Sequence, residues 1–230
     1  HLSDYPLFIH GLAWTKEAAA IANHRLGLLS DQQKDAIVTA CHELLEGKHH
    51  DQFPVDMIQG GAGTTTNMNA NEVICNRALE LMGHAKGEFK YLSPNDHVNG
   101  SQSTNDAYPT AIHLGLYASH LKLRPHFIQL IEALEAKSRQ FAHVVKMGRT
   151  QLQDAVPMTL GQTFGGFASI LRHEIANLDY AAQQFLAINM GATAIGTGIS
   201  SEPEYADYCT AAMAEITGWP ITRTDDFVGA

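Results

Sequence analysis

The sequence predicts an all-α protein. Apolar residues recur at spacings of three and four over long stretches, strand-like alternation is nearly absent, and short polar connections separate the stripes. A 3.6-residue period sustained over such lengths gives each helix one buried face, and short connections favour antiparallel neighbours in a bundle.

The elements follow in order. Trp14 to Leu29 is rich in alanine, with Ala18, Ala19, Ile21, Ala22, Arg25 and Leu26 at good helix-forming positions. Asp31 to Glu46 places Ile37, Val38, Cys41, Leu44 and Leu45 on one stripe, and Gly47 supplies a stop. Leu114 to Val145 carries Leu123, Phe127, Leu130, Ile131, Leu134, Phe141 and Val145 at helical spacing, with a break or kink expected at Pro125. A second long stripe runs through Leu160, Phe164, Phe167, Leu171, Ile175, Leu178 and Phe185. Each long stripe would extend roughly 30 to 40 Å at about 1.5 Å per residue. Gly191 to Gly198 reads as a loop before a last helix near Glu202 to Thr217. Two domains are expected, residues 1–118 as an N-terminal helical domain and 119–230 as the first part of a long central bundle, although no linker composition marks the border.

Composition narrows the class of partner. The chain has 230 residues, 45% hydrophobic and 17% charged, enough to bury a core. A formal net charge of -9 and the lack of any lysine or arginine run argue against nucleic acid. The cysteines are Cys41, Cys75 and Cys209, an odd and widely spaced set that signals neither a disulfide framework nor a zinc site. A reducing, cytoplasmic compartment is expected. No apolar run approaches the roughly 20 residues of a membrane helix, so no membrane association is expected either. Both ends read as cut, since the chain opens on a helix lead-in and stops at Asp226 to Ala230 without a cap or polar tail.

Three polar segments stand out. Gly60 to Val73 leads glycines into threonines and then asparagines on an incipient helix. Such a start aims backbone N–H groups at a carboxylate, and it reads equally as an ordinary capped helix. It is not a dinucleotide fingerprint, because no strand precedes it and the glycine spacing differs. Ser93 to Asp106 contains only Val98 as an apolar side chain besides Pro94, and could be a surface loop. Its last residues, Ser103 to Asp106, sit where N-cap hydroxyls and amides would face an anion. Gly148 to Pro157 connects the two long helices. Arg149 there could fork onto a carboxylate, but Asp154 five positions away favours a bracing ion pair. The thirteen histidines show no metal-ligand spacing, and no Ser-His-Asp, HExxH or Walker A pattern is present.

Together these segments resemble the fumarase/aspartase superfamily over essentially the whole chain. The resemblance is carried by Gly61 to Val73, by Pro94 to Asn99 with Gln102 to Thr110, and by Lys146 to Pro157. Within the superfamily it is strongest to the aspartate ammonia-lyases, also through Asn189 to Gly198. It implies a fumarase/aspartase-like helical fold and a homotetramer whose active sites are each assembled from three subunits. It implies reversible elimination of ammonia from L-aspartate, a small-molecule substrate, to give fumarate, with fumarate hydratase as the alternative. No cofactor is required by the resemblance, which leaves room for activation by a divalent metal.

The implied site residues are Thr64, Ser103, Thr104, Asn105, Thr150 and Gln151. Thr64, Ser103 and Thr104 would hold the carboxylate beside the carbon that loses its proton, Thr150 the other carboxylate, and Asn105 and Gln151 the amino group. Proton loss there creates an aci-carboxylate, which preorganised neutral donors stabilise more than the ground state. In the family the base is a serine on a Gly-Ser-Ser loop, and no Gly-Ser-Ser-x-Met-Pro stretch occurs here. The catalytic base is therefore expected beyond Ala230, and this polypeptide alone is expected to be inactive, a mere helical fragment if nothing follows it. Fumarases, and some aspartases, place histidine where Gln151 stands. Ammonia leaves more easily than hydroxide, so an amide that cannot titrate fits the ammonia-lyase better. Ser93 likewise stands where fumarases have histidine, which argues against a second, fumarase-type anion site.

Overall fold

The computed structural model describes residues 1–59 and 61–230; Gly60, the first residue of the glycine-rich segment, lies outside the described residues. The fold is all-α, and the main helices among the described residues are α1 (Pro6–Arg25), α2 (Asp31–Leu45), α3 (Thr64–Leu81), α4 (Thr104–Gln140), α5 (Leu160–Gln184) and α6 (Tyr205–Thr217). One antiparallel hairpin, β1 (Val145–Thr150) and β2 (Gln153–Thr159), stands between α4 and α5, and the two-residue strands β3 (Ala187–Ile188) and β4 (Thr222–Arg223) pair in parallel.

The chain divides into two compact units, residues 1–117 with 185–230, and residues 118–184. Residues 185–230, grouped from the sequence with the bundle, thus pack with the N-terminal helices. The reason is α6, whose Tyr205, Cys209 and Met213 are buried against Ala18, Ala19 and Ala22 of α1. Helix α1 begins with Pro6 in its first turn, where the missing N–H costs nothing. It is buried on nearly every side, because α2 and α3 cover a second face through Ile37, Cys41, Leu44, Ile74 and Leu79. Ser30 starts α2 with a capping box: its hydroxyl accepts from the Gln33 N–H at 3.3 Å, and the Gln33 side chain accepts from the Ser30 N–H at 3.1 Å. The stop expected at Gly47 is present, with φ +87°.

Two expectations change in residues 118–184. Helix α4 runs unbroken through Pro125. Leu121 and Pro125 are both exposed, so the Leu121 carbonyl that loses its partner to the proline can bond to water. The stretch 145–159, read as a helix end and a plain connection, forms a hairpin instead. Its strands are mostly exposed on both faces, so the inside-outside alternation that betrays a strand in sequence never had to be written. In the same unit α5 leaves Phe167, Ile170 and Tyr180 exposed, and α4 does so with Leu123 and Leu130.

Candidate active site

The site in the first unit is built from the buried face of α1 outward. Lys16 and Asn23, seven residues apart and so on one face of α1, are both buried. Lys16 Nζ donates to Asn67 Oδ1 at 2.7 Å, Gln102 Oε1 at 2.8 Å and Asn99 Oδ1 at 3.0 Å. The three N–H bonds of an ammonium are thereby matched to three amide oxygens. Asn23 clamps the same polar loop, donating to the Gly100 carbonyl at 2.9 Å and accepting from the Ser101 hydroxyl at 2.8 Å. The segment that composition allowed to be a surface loop is therefore pinned to a core helix at two points.

On α3, Asn67 and Asn71 both donate to Asn99 Oδ1 at 3.1 Å, and Asn67 Nδ2 also donates to Thr104 Oγ1 at 3.1 Å. The starts of α3 and α4 consequently converge. Gly63 makes this approach feasible: its φ is +81°, and an added Cβ would lie 2.5 Å from the Tyr108 ring. Thr64 opens α3 and is exposed. Ser103 caps α4, accepting from the Asn105 N–H at 3.2 Å, while Asp106 reaches back to accept from the Ser103 N–H at 2.9 Å. The other Asp106 oxygen accepts from the N–H groups of Thr193 at 2.9 Å and Gly191 at 3.3 Å.

Pro109 adds a local device. Lacking an N–H, it leaves the Asn105 carbonyl one turn earlier without a helical donor, and Asn189 Nδ2 fills that place at 3.3 Å. Asn105 itself donates from its side chain to the Ala194 carbonyl at 2.8 Å. Thr64, Ser103, Thr104 and Asn105 thus share one unit and two adjoining helix starts, with segment 189–194 behind them.

Burial sets the charges at odds with solution. Lys16 is lowered to about 7, chiefly by desolvation and only partly offset by Asp106, Cys41 and Cys209. Asp106 is raised to about 6, because its desolvation outweighs the N–H groups of Ser103, Thr193 and Gly191 and the attraction of Lys16. Thr64, Ser103, Thr104 and Asn105 are neutral and at least partly exposed, whereas the charged Lys16 and Asp106 are buried.

Residues 3–229 match the protein family described as Lyase. The chain belongs to the lyase family. This lyase chain is 54% identical over 230 residues to the aspartate ammonia-lyase of Pseudomonas fluorescens and 51% identical to that of Escherichia coli strain K12, in each case over 100% of this chain and 48% of the relative. It spans about half the length of the curated relatives it matches. Among solved structures, fumarate lyase:delta crystallin from Brucella melitensis bound to cobalt superposes with TM-score 0.94 at 48% identity, covering 99% of this chain and 49% of that one. The recombinant class II fumarase from Schistosoma mansoni gives 0.85 at 33% identity, covering 96% and 50%.

The remaining site candidates of the lyase chain, Thr150 and Gln151, belong to the second unit. Thr150 ends β1 opposite Gln153, and Gln151 with Leu152 forms the two-residue turn. Both turn residues have positive φ, +46° and +69°, as a type I′ hairpin demands, yet neither is glycine or asparagine. Arg149 donates to Asp154 at 3.0 Å, which is the bracing role its sequence neighbour suggested. Sequence reasoning passed over Lys16 and left the structural roles of Asn67, Asn99, Gln102, Asp106 and Asn189 unassigned. The signal for Lys16 was positional: it lies four residues after Leu12 and three before Ala19, on the apolar face, where a lysine must be paid for by partners.

Proposed function

We propose that the full-length protein is an aspartate ammonia-lyase, a carbon-nitrogen lyase that reversibly eliminates ammonia from L-aspartate to give fumarate. The observation that carries this reading is the convergence of two helix starts presenting Thr64, Ser103 and Thr104, neutral donors reinforced by backbone N–H groups. Such donors suit a carboxylate that gains charge as the adjacent carbon loses its proton. Identity of 51–54% to aspartate ammonia-lyases along all of this chain supports the same substrate.

In this reading Thr64, Ser103 and Thr104 bind the carboxylate next to the acidic carbon, Thr150 binds the distal carboxylate, and Asn105 and Gln151 receive the amino group. The proton-abstracting base in this reading is a serine on a Gly-Ser-Ser loop, a stretch that residues 1–230 do not contain. Assembly is a cytoplasmic homotetramer with shared sites, a reading supported by exposed Leu123, Leu130, Phe167, Ile170 and Tyr180 on two long helices. No resident cofactor takes part in the chemistry, and a divalent metal has room only as an activator.

The experiment is fumarate formation, followed by ultraviolet absorbance, with full-length protein given L-aspartate or L-malate separately. Fumarate from aspartate alone is expected. Fumarate from malate alone would make the protein a hydratase, and no fumarate from either would leave it a helical scaffold.

A further inference from the structure

Lys16 is an uncommon choice of brace. A fully buried ammonium whose hydrogen bonds all go to neutral amides forgoes much of its hydration, and an apolar side chain would pack at the same place at less cost. What an ammonium does that an apolar group cannot is dictate amide orientation. It has only donors, so Asn67, Asn99 and Gln102 must each turn an oxygen toward it.

For Asn67 the consequence reaches the surface of the site. With Oδ1 held on Lys16 at 2.7 Å, Nδ2 is the atom that faces Thr104, and it donates to Thr104 Oγ1 at 3.1 Å. A hydroxyl that accepts from behind keeps its own proton to donate elsewhere. Were the Asn67 amide reversed, Oδ1 would draw the Thr104 proton inward, and the hydroxyl would present only lone pairs to an incoming carboxylate. We propose that Lys16 is a positioning residue which, through Asn67, fixes the proton of the Thr104 hydroxyl outward for donation to the substrate carboxylate. The inference rests on the aspartate ammonia-lyase reading, because it needs Thr104 to meet a carboxylate. When Lys16 is neutral its amine keeps two N–H bonds for the three amide oxygens, and Asn67 Oδ1, at 2.7 Å, is the nearest of the three.

The test is Asn67→Asp in the full-length protein. The carboxylate keeps an oxygen on Lys16 and adds a counter-charge, so the fold is expected to hold, but it can only accept from Thr104. In fumarate formation from L-aspartate, kcat/KM is expected to fall at least tenfold. Thr104→Val, which costs the wild type tenfold or more, is expected to cost the Asn67→Asp background less than threefold, because that hydroxyl already points inward. A merely structural role for Lys16 gives neither the loss nor this non-additivity. Lys16→Met frees the Asn67 amide by a second route and is expected to raise the KM for L-aspartate tenfold or more. Wild-type kcat/KM in Asn67→Asp, full additivity with Thr104→Val, or wild-type KM in Lys16→Met overturns the relay alone. A wild-type protein that makes no fumarate from aspartate overturns the functional reading as well.

Discussion

Replacing Gly63 by alanine should damage the protein far more than the same change at Gly61, two residues away. Both glycines sit at positive φ, +81° and +86°. That conformation costs an L-residue about 1–2 kcal/mol, and the stiffer unfolded chain returns about 0.4–1 kcal/mol of it. Gly61 faces open space, so Gly61→Ala should cost only about 1 kcal/mol. At Gly63 the new methyl lies 2.5 Å from two Tyr108 ring atoms and 2.6 Å from a third. Ordinary carbon contacts start near 3.5 Å, so the ring must retreat by about 1 Å. Tyr108 is not free to do so, since it packs edge-on against Phe8 with ring centroids 5.7 Å apart. Overpacking of that kind adds about 1–3 kcal/mol, giving about 2–4 kcal/mol in all. Parallel urea titrations of the two full-length variants measure the difference. Midpoints that imply stabilities within about 0.5 kcal/mol of each other would refute the claim that α3 and α4 touch through Gly63.

Other outcomes follow from the same structure. Leu152→Gly should stabilise the hairpin by about 0.5–1 kcal/mol by thermal denaturation, because Leu152 is 93% exposed and holds φ +69° with almost no packing in return. Lys16 falls from 10.5 unfolded to about 7 folded, so between these values the unfolded chain holds a proton that the folded chain lacks, and stability rises with pH. Unfolding free energies from denaturant titrations of the wild type should climb by up to about 1.4 kcal/mol per pH unit from pH 7 to 9, a slope absent from Lys16→Met; above pH 9 the buried thiols of Cys41, Cys75 and Cys209 contribute the opposite sign. Those thiols are also held protonated, Cys75 and Cys209 up to about 12, so a thiol-disulfide reagent at pH 8 should label none of the three in the native protein and all of them in urea.

How far the sequence disclosed this molecule depended on what each residue had to face. Ile37, Cys41 and Leu44 pack inward at helical spacing, so the stripe announced α2 and its buried side. Pro125 announced a break that did not occur, because its surroundings are exposed and water can serve the freed carbonyl. The hairpin was hidden for a related reason: Val145 and Val156 are both exposed, and no core imposed a two-residue period on its strands. In the site, the glycines and hydroxyls of Gly61 to Thr66 and Ser103 to Asp106 were legible because they are poor material for a helix interior. Lys16 was legible only through its place on the apolar face of α1, because the partners that satisfy it, Asn67, Asn99 and Gln102, stand from 51 to 86 residues away and no local pattern names them.

The double attachment of Asp106 has a consequence for how the protein comes into being. One oxygen of this carboxylate caps its own helix, but the other takes its donors from Gly191 and Thr193, 85 and 87 residues later. A ribosome adding about 5–20 residues per second needs about 4–17 s to synthesise that interval. During those seconds the start of α4 exists with half of its carboxylate unanswered, and α1 waits for α6 to cover Ala18, Ala19 and Ala22. The apolar side of α1 is thus open on the nascent chain for longer than any helix takes to form, and that interval is when a holding chaperone would find something to bind.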